Sequence, residues 1–313
     1  MRRIFVNLKR FEVPTALGGV CPSSHPGDWI QSVMDECLAL GYGAHEAVQL
    51  VFFVPEALIL PAKRSLAQLP TGGGAALEIG CQGVFREDIR RGGNFGAFTT
   101  NLPATAAMHL GCTWAIIGHS EERNDKLGAL RQFAPEIDQD TDLCNRAQAA
   151  VDSMVNQSVL RALQANMDVL MCVGETGAER GDGDFRSQQP RIEAVLKRQL
   201  TGGLTGIGKV LADQEIVIGY EPVWAIGPGK TPPGKEYIEY VTEAIKTICQ
   251  EQLDLEVAVV YGGGLKLENA GILGSITSLD GGLVALTRFT GQIGFDPGGL
   301  HEIIQAYLGK GDM

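Results

Sequence analysis

Eight short apolar runs, separated by segments with helical periodicity, set the fold class of this chain. The runs are rich in β-branched and aromatic side chains, which is typical of parallel strands covered on both faces. They are residues 4–6, 48–54, 76–79, 114–117, 169–173, 216–218, 257–260 and 283–286. Helical patterns lie between them, most clearly over 29–38, 192–200 and 237–248. This repeated order predicts a parallel α/β fold, and eight units predict a closed (β/α)8 barrel.

The chain shows no composition break that would divide it into domains. At 313 residues, 44% of them hydrophobic, it can bury a large core, so we expect a single domain over 1–313. The polar segment 125–142 carries Glu136, Asp138, Asp140 and Asp142, and we expect it to be an insertion between the fourth strand and its helix. It lacks the register of a calcium-binding EF-hand, which favours a solvated loop.

Charge, cysteines and hydropathy exclude several functional classes. A net charge of −11 argues against nucleic-acid binding, because clustered basic residues are needed to contact phosphate backbones. The seven cysteines have no metal-ligand spacing and are expected to be reduced core thiols. No run is long enough to span a membrane and no apolar leader follows Arg2 and Arg3, so we expect a cytoplasmic protein with no membrane partner.

Polar residues or glycines follow several predicted strands at the point where each strand ends. They are Asn7 and Lys9, His119, Glu175, Glu221 and the glycine run 262–264. In a closed barrel the carboxyl ends of all strands converge on one face, where active sites lie. A doubly wound open sheet would scatter these residues more widely, so the pattern favours closure.

Glu221 and the segment behind it predict an acid beneath a lid. The buried run 216–218 leads into Tyr220 and Glu221, which places a carboxylate at a strand end. Residues 222–231 then mix large apolar side chains with Pro and Gly, a composition suited to a lid over a ligand. The simpler interpretation is an ordinary turn between a strand and a helix.

His119 is placed to act as a hydrogen-bond donor. The sequence from Gly118 to Glu122 has the character of a helix start, with His119 or Ser120 as the cap and acids in the first turn. The positive end of the helix dipole disfavours a protonated ring, so a neutral imidazole would donate to a carbonyl. The alternative is a histidine that only caps the helix.

Two anion-binding features complete the candidate site. Asn7 and Lys9 are two positions apart in an extended segment and so share a face, where Lys9 could stabilise negative charge on oxygen. The glycine run 262–264 could bring backbone N–H groups close to an anion. A solvated lysine and a flexible turn are the alternatives.

Six motifs, in this order, resemble those of the triosephosphate isomerase family. They are Phe-Val-Asn-Leu-Lys at 5–9, Gly-Ala-Phe-Thr at 96–99, Ile-Gly-His-Ser-Glu at 117–121, Cys-Val-Gly-Glu at 172–175, Tyr-Glu-Pro-Val-Trp-Ala-Ile-Gly at 220–227 and Tyr-Gly-Gly at 261–263. The resemblance covers nearly the whole chain. It implies a TIM barrel, a homodimer, a small sugar phosphate as substrate, and no metal or organic cofactor.

The resemblance also implies a role for each matching residue. Glu221 matches the base that moves a proton between adjacent carbons of a hydroxy-carbonyl substrate. His119 matches the neutral group that polarises the carbonyl, a tuning of pKa already worked out for this family. Lys9 and Asn7 match the residues that stabilise the enediolate.

Further matches concern support and phosphate binding. Glu121 matches a carboxylate near Lys9, and Thr99 matches the tip of a loop that braces the partner subunit. The lid amide of Gly227 and the loop residues Gly263 and Gly264 are expected to hold the substrate phosphate.

The phosphate-binding end departs from the family pattern. Gly264 stands in place of a serine, and Ala285 and Leu286 stand where the family has a glycine pair after the eighth strand. Leu286 keeps a backbone N–H but adds a side chain where the phosphate approaches. Arg288 is a candidate for the replacement charge, on a repositioned phosphate or another anion of a longer sugar.

Two other departures lie in the lid and beside His119. Pro228 replaces the usual lid threonine and is expected to stiffen the lid tip. Glu122 stands where a second arginine is common, and the loop 83–95 is longer than usual.

Three functions are compatible with these residues. The first is interconversion of dihydroxyacetone phosphate and glyceraldehyde 3-phosphate, within glycolysis and gluconeogenesis. The second keeps the chemistry but takes a longer or branched sugar phosphate, such as a tetrulose phosphate. The third is a barrel that only binds, which the retained lid and polar set argue against. A metal-dependent aldolase is disfavoured because the five histidines form no ligand cluster.

Overall fold

The computed structural model describes residues 1–68, 76–227 and 229–309, and it contains a closed parallel barrel. Eight strands neighbour one another in chain order, and the last pairs with the first. They are β1 (Arg2–Asn7), β2 (Val48–Val54), β3 (Leu77–Cys81), β4 (Trp114–Ile117), β5 (Asp168–Val173), β6 (Ile216–Tyr220), β7 (Ala258–Tyr261) and β8 (Gly281–Val284). The predicted (β/α)8 barrel is confirmed.

Ten α-helices occur in the described part of the chain. They are α1 (Pro26–Ala39), α2 (Glu56–Ser65), α3 (Ala104–His109), α4 (Ser120–Phe133), α5 (Thr141–Gln164), α6 (Gly177–Arg180), α7 (Phe185–Gly203), α8 (Lys235–Leu253), α9 (Leu267–Gly274) and α10 (Pro297–Leu308). Each strand is followed by at least one helix, so the carboxyl ends of the strands and the loops behind them lie on one face of the barrel.

The two faces of the strands contribute to separate apolar cores. Side chains inside the barrel form one core, in which the Phe5 and Trp114 rings lie 5.2 Å apart in an edge-to-face contact. The alternate side chains, such as Ile4 and Val6, pack outward against the helices in a larger core. Burial on both faces explains why the strands appear in the sequence as continuous apolar runs.

The eighth strand lies two residues earlier than its apolar run predicts. It covers Gly281–Val284, and Ala285 and Leu286 lie beyond its end. Pairing with β1 accounts for the shift, because a Cβ built on Gly281 would lie 1.7 Å from the Arg3 carbonyl oxygen. Glycine is therefore needed in this strand, although its low strand propensity hides the strand start in the sequence.

The segment 125–142 is helical over much of its length, so the expectation of a solvated loop is wrong. Helix α4 runs directly from the end of β4 to Phe133, and a 3₁₀ turn, Pro135–Asp138, leads towards α5. The Arg131 guanidinium lies 2.9 Å from an Asp138 carboxylate oxygen. Asp140 caps α5 by accepting a 3.0 Å hydrogen bond from the backbone N–H of Leu143. Asp138 and Asp140 thus have structural partners.

The burial of the cysteines agrees with the sequence expectation of core thiols. All seven cysteines are free, and six are buried, with Cys144 partly exposed. Among the described residues, no helix is both long enough and apolar enough to cross a membrane.

Candidate active site

Three strand ends bring the predicted catalytic side chains to one place on the carboxyl face of the barrel. Asn7 ends β1, His119 follows β4 by two residues, and Glu221 follows β6 directly. The His119 Nε2 atom lies 3.0 Å from Glu221 Oε1, and the Lys9 ammonium lies 2.6 Å from Glu121 Oε1. A carboxylate, an imidazole and an ammonium group, each from a different strand end, therefore share one cluster.

Glu221 is a buried carboxylate with both oxygens bonded. Its backbone N–H donates to the Val173 carbonyl at 2.8 Å, which continues the pairing of β5 and β6 past the strand end. Oε1 faces His119, and Oε2 accepts a 2.8 Å hydrogen bond from the backbone N–H of Ser120. Only 2% of the residue is exposed. The position of the carboxylate is thus fixed by the first turn of α4.

The hydrogen bonds of His119 define its tautomer. As the cap residue of α4, its Nδ1 accepts from the backbone N–H of Glu121 at 3.3 Å. The proton of a neutral ring therefore resides on Nε2, which donates to Glu221. A neutral imidazole with Nε2–H directed into the site is the donor that a substrate carbonyl requires.

The pKa of His119 differs from the sequence expectation. Burial acts to lower the pKa, but the charge of Glu221 and the hydrogen bond to it outweigh burial, so the pKa lies above its ordinary value of 6.5. The expectation that the helix N-terminus keeps the proton off this ring is wrong for this arrangement, because a carboxylate faces Nε2. A substrate that displaced Glu221 from Nε2 would remove the cause of the increase.

The Gly118 peptide, which carries His119, is held from both sides. Its N–H donates to Glu122 Oε2 at 2.6 Å, and its carbonyl accepts from Arg123 Nε at 2.8 Å. Arg123 is itself bonded at 2.6 Å to the buried carboxylate of Asp152. Gly118 has a φ of +76°, a left-handed conformation that other residues rarely adopt. Glu122 therefore fixes the turn that aims His119 and Ser120 at Glu221.

Lys9 has an uncommon backbone conformation, with a φ of +39°. Its N–H donates to Asn7 Oδ1 at 2.9 Å, and its carbonyl accepts from Gln82 Nε2 at 2.7 Å. Positive φ in a non-glycine residue is strained and is found more often at functional sites. Burial acts to raise the pKa of Glu121, but the hydrogen bond and charge of Lys9 lower it overall. The ion pair holds the ammonium near the cluster.

Gln82 is a site residue that the sequence reasoning missed. It follows β3 directly, and its amide also lies 3.3 Å from both Asn7 Oδ1 and the Phe53 carbonyl. It therefore joins the ends of β1, β2 and β3. The sequence contains a signal for it, because Gln82 is a polar residue at a strand end, as Asn7 and Glu221 are.

Glu175 is buried under the start of the lid. Its Oε1 accepts hydrogen bonds from Trp224 Nε1 at 2.7 Å, Tyr220 OH at 2.9 Å and Tyr237 OH at 2.7 Å. Burial raises the pKa of Glu175, although these donors oppose the rise. The Arg180 guanidinium stacks 3.8 Å from the centre of the Trp224 ring. Both the lid tryptophan and the helix behind the lid are thus anchored to one carboxylate.

The lid itself is only partly described. A 3₁₀ turn, Val223–Ala225, opens it, and Gly227 has a positive φ. Pro228 lies outside the described residues, so its stiffening effect stays a prediction. The phosphate-binding role of Gly227 also stays a prediction.

The β7 and β8 end is built differently from the cluster around Glu221. Gly263 and Gly264 follow β7 as predicted, and Leu286 is partly buried beyond β8. Arg288 forms an ion pair with Asp296, with Nε 3.2 Å from Oδ2, and its backbone pairs with Gly294 across a short extension. The structure therefore places Arg288 against Asp296, the N-cap residue of α10, and not against the four predicted catalytic side chains.

Thr99 lies on the long loop between β3 and α3 and is exposed. Phe95 on the same loop is 87% exposed, which is unusual for a large apolar side chain. The bracing role of Thr99 in a partner subunit stays a prediction.

The cluster can perform proton transfer beside a carbonyl group. Glu221 is a candidate base, His119 a neutral donor to the carbonyl oxygen, and Lys9 a charge that stabilises an oxyanion. Within the described residues, no group of three or more His, Cys, Asp or Glu is arranged to hold a metal ion.

Comparisons with known proteins agree on one family. The profile of the triosephosphate isomerase family matches residues 36–292. A triosephosphate isomerase of Chloroherpeton thalassium is 33% identical over 67% of this chain and 70% of its own length. That of Oleidesulfovibrio alaskensis is 31% identical over 77% of this chain and 85% of its own length. The crystal structure of the Bartonella henselae enzyme covers 91% of this chain and 92% of its own, with a TM-score of 0.58 and 23% identity. The chain therefore belongs to the triosephosphate isomerase family of cofactor-independent aldose–ketose isomerases.

Proposed function

We propose that this protein interconverts the ketose and aldose forms of a small sugar phosphate through an enediolate. The single observation that carries the proposal is the contact between Glu221 and His119, which pairs a buried carboxylate with an imidazole N–H at 3.0 Å. Proton transfer between two adjacent carbons needs one base and one donor to oxygen, and these two groups supply both. Dihydroxyacetone phosphate and glyceraldehyde 3-phosphate are the first substrate pair to test, because the relatives described above carry that activity in their names.

In the proposed reaction, the Glu221 carboxylate takes a proton from the carbon next to the carbonyl group. His119 Nε2–H and the Lys9 ammonium face the oxygens on which negative charge develops, and Asn7 orients Lys9 through its backbone. Protonated Glu221 then returns the proton to the neighbouring carbon, so no net proton is gained or lost. In the structure, the Nε2–H group of His119 donates to Glu221, so the substrate carbonyl must displace the Glu221 carboxylate from this donor.

Lid closure supports the same reaction. Trp224 connects the lid to the buried Glu175, and Gly227 lies three residues further on. Closure over the substrate would exclude water and protect the enediolate from losing its phosphate. We propose the Gly227, Gly263 and Gly264 amides as phosphate donors on the lid and the β7 loop.

A longer sugar phosphate is the second candidate substrate, and the β8 end favours it. The strand stops at Val284, and Ala285 and Leu286 replace small residues beside the phosphate position. Leu286 restricts close approach of a phosphate to the backbone, whereas Arg288 adds a charge further along the extension. Proton transfer at Glu221 does not depend on this end, so the same chemistry could serve a tetrulose or branched-sugar phosphate.

A coupled assay of the purified protein tests the proposal. It would compare dihydroxyacetone phosphate with a panel of tetrulose and pentulose phosphates. Efficient turnover of the triose supports the first substrate pair, and a clear preference for a longer sugar supports the second. Deuterium exchange from solvent into each sugar phosphate would be measured alongside. If deuterium exchanges into none of the sugar phosphates, the protein is a barrel that only binds a ligand, and the proposal is rejected.

The proposed assembly is a homodimer. Thr99 and the exposed Phe95 lie on a loop that the family resemblance assigns to the subunit interface. Analytical ultracentrifugation of the wild type beside Phe95→Asp would test it, because an apolar contact at Phe95 does not tolerate a charge. We expect a dimer for the wild type and monomers for the variant.

A further inference from the structure

Asp152 is a buried carboxylate on α5 that lies between two guanidinium groups. Its Oδ1 atom is 2.6 Å from Arg123 Nη1, and its Oδ2 atom is 2.6 Å from Arg198 Nη1. Only 2% of the Asp152 side chain is exposed. A Cβ built on Gly202 would lie 2.9 Å from Asp152 Cβ, so α7 packs closely against α5 at this point. Each oxygen of a closely packed carboxylate thus binds a different arginine.

The contact through Oδ1 leads to the turn that carries His119. Arg123 donates from Nε to the Gly118 carbonyl at 2.8 Å and from Nη2 to the Cys172 carbonyl at 3.3 Å. Gly118 directly precedes His119, and Cys172 lies in β5. The Arg123 guanidinium therefore ties the turn after β4 to the neighbouring strand, and Asp152 fixes the guanidinium.

The contact through Oδ2 leads to α6, the short helix that packs against the lid tryptophan. Arg198 Nη2 lies 3.1 Å from Glu179 Oε1. The other oxygen of Glu179 accepts from the backbone N–H and the hydroxyl of Thr176, both at 2.9 Å, and closes the capping box at the start of α6. The next residue, Arg180, stacks 3.8 Å from the centre of the Trp224 ring. Arg198 therefore restrains α6 and the surface on which Trp224 rests.

The network of two arginines and two carboxylates is largely shielded from solvent. Its most exposed member, Arg198, has 27% of its side chain exposed. Buried ion pairs add little net stability relative to apolar side chains, because the cost of removing the charges from water offsets their attraction. The planar guanidinium fork does, however, bind carboxylates only in a narrow range of geometries. Such a network is therefore suited to fixing the positions of the segments that it joins.

We propose that Asp152 is a positioning residue that holds the His119 turn and α6 in a fixed relation to one another. This inference rests on the proposed function, in which His119 and the lid act on one bound substrate. Asp152 acts through Arg123 on one side and Arg198 on the other. A displacement of about 1 Å in a catalytic group can reduce turnover by about 10²-fold, so the relation between the two segments affects the rate.

Steady-state kinetics of Asp152→Asn test the proposal, because asparagine keeps the side-chain volume and removes the charge. We expect kcat to fall about 10- to 100-fold and KM to stay within about threefold, since the substrate contacts themselves are retained. Arg198→Met removes only the contact to α6 and should lower kcat about threefold to tenfold. Arg186→Met, at the exposed start of α7, is the matched control and should equal the wild type. Wild-type kcat in Asp152→Asn overturns the proposal.

NMR spectra of the protein without substrate decide the inference separately from turnover. The indole N–H signal of Trp224 reports on α6, and the ring signals of His119 report on its turn. Both should shift in Asp152→Asn, whereas only the Trp224 signal should shift in Arg198→Met. A general loss of stability would lower Tm without this pattern. The pattern supports the proposal even if no sugar phosphate is turned over, in which case only the proposed function fails. An unshifted Trp224 signal in Arg198→Met overturns it, whether or not Asp152→Asn folds.

Discussion

The Glu221 cluster and the β8 extension lie on the same face of the barrel but are held in different ways. Both Glu221 oxygens are bonded to α4, by contacts of 3.0 Å and 2.8 Å, and the residue is 2% exposed. In the extension, the exposed Arg288 is bound to the partly exposed carboxylate of Asp296. Proton transfer needs fixed distances, whereas an anion can be held at several positions. The family chemistry and the departures from the family pattern thus fall in separate regions.

Removal of the proposed base should abolish the chemistry of the Glu221 cluster. Glu221→Gln keeps the volume and an oxygen that can accept from Ser120, but it cannot take a proton. We expect kcat to fall at least about 10³-fold with every substrate of the wild type. Steady-state kinetics measure this, with thermal unfolding to show that the fold is retained. Glu268→Gln, an exposed acid of α9, is the matched control. Wild-type-like turnover in Glu221→Gln would exclude the proposed mechanism.

Substitution of Glu122 tests whether turnover depends on the fixed position of the Gly118 turn. Removing its carboxylate in Glu122→Ala leaves the partly buried Gly118 N–H without its partner and releases the turn before His119. We expect kcat to fall by about tenfold or more with little change in KM, and stability to fall by about 1–3 kcal/mol. Glu122→Gln keeps an acceptor oxygen and should retain most of the activity. Equal loss in both variants would show that charge, and not the hydrogen bond to Gly118, is what matters.

The coupling between His119 and Glu221 has a pH signature. The pKa of His119 lies above its ordinary value because of Glu221, so we expect it to fall in Glu221→Gln. A raised pKa in the folded state stabilises the protein below the ordinary pKa of 6.5, and this contribution is lost as pH rises through the folded value. That part of the pH dependence should disappear in the variant. Titration of His119 by NMR in both proteins measures it, with Glu268→Gln as control. An unchanged His119 pKa would contradict the pairing.

The barrel and the core of the site could be predicted because their sequence signals are local. Strands buried on both faces are continuous apolar runs, and polar residues behind them mark one face of a closed barrel. Glu221 and His119 follow their strands directly, so their meeting needed only the fold. The eighth strand was misplaced because Gly281 is required by a neighbouring strand, which no local pattern shows.

The remaining site residues depend on neighbours that are distant in the chain. Tyr237 lies on the buried face of α8 and looks like any core tyrosine until Glu175 is placed beneath it. The raised pKa of His119 likewise depends on Glu221, which lies 102 positions later in the chain. The helix dipole alone predicts a lowered pKa for His119, which is the wrong direction.

Replacement of Arg288, in the extension after β8, should change the kinetics only slightly. Its charge is already partly neutralised by Asp296, so Arg288→Ala should raise the KM for a sugar phosphate by only about threefold to tenfold if the guanidinium contacts the substrate. Stability should change by about 0.2–1 kcal/mol, as for other exposed ion pairs. Arg186→Ala, on the exposed face of α7, is the control. Kinetics of Arg288→Ala with triose and tetrulose phosphates measure the effect. An unchanged KM with both substrates removes Arg288 from the substrate site.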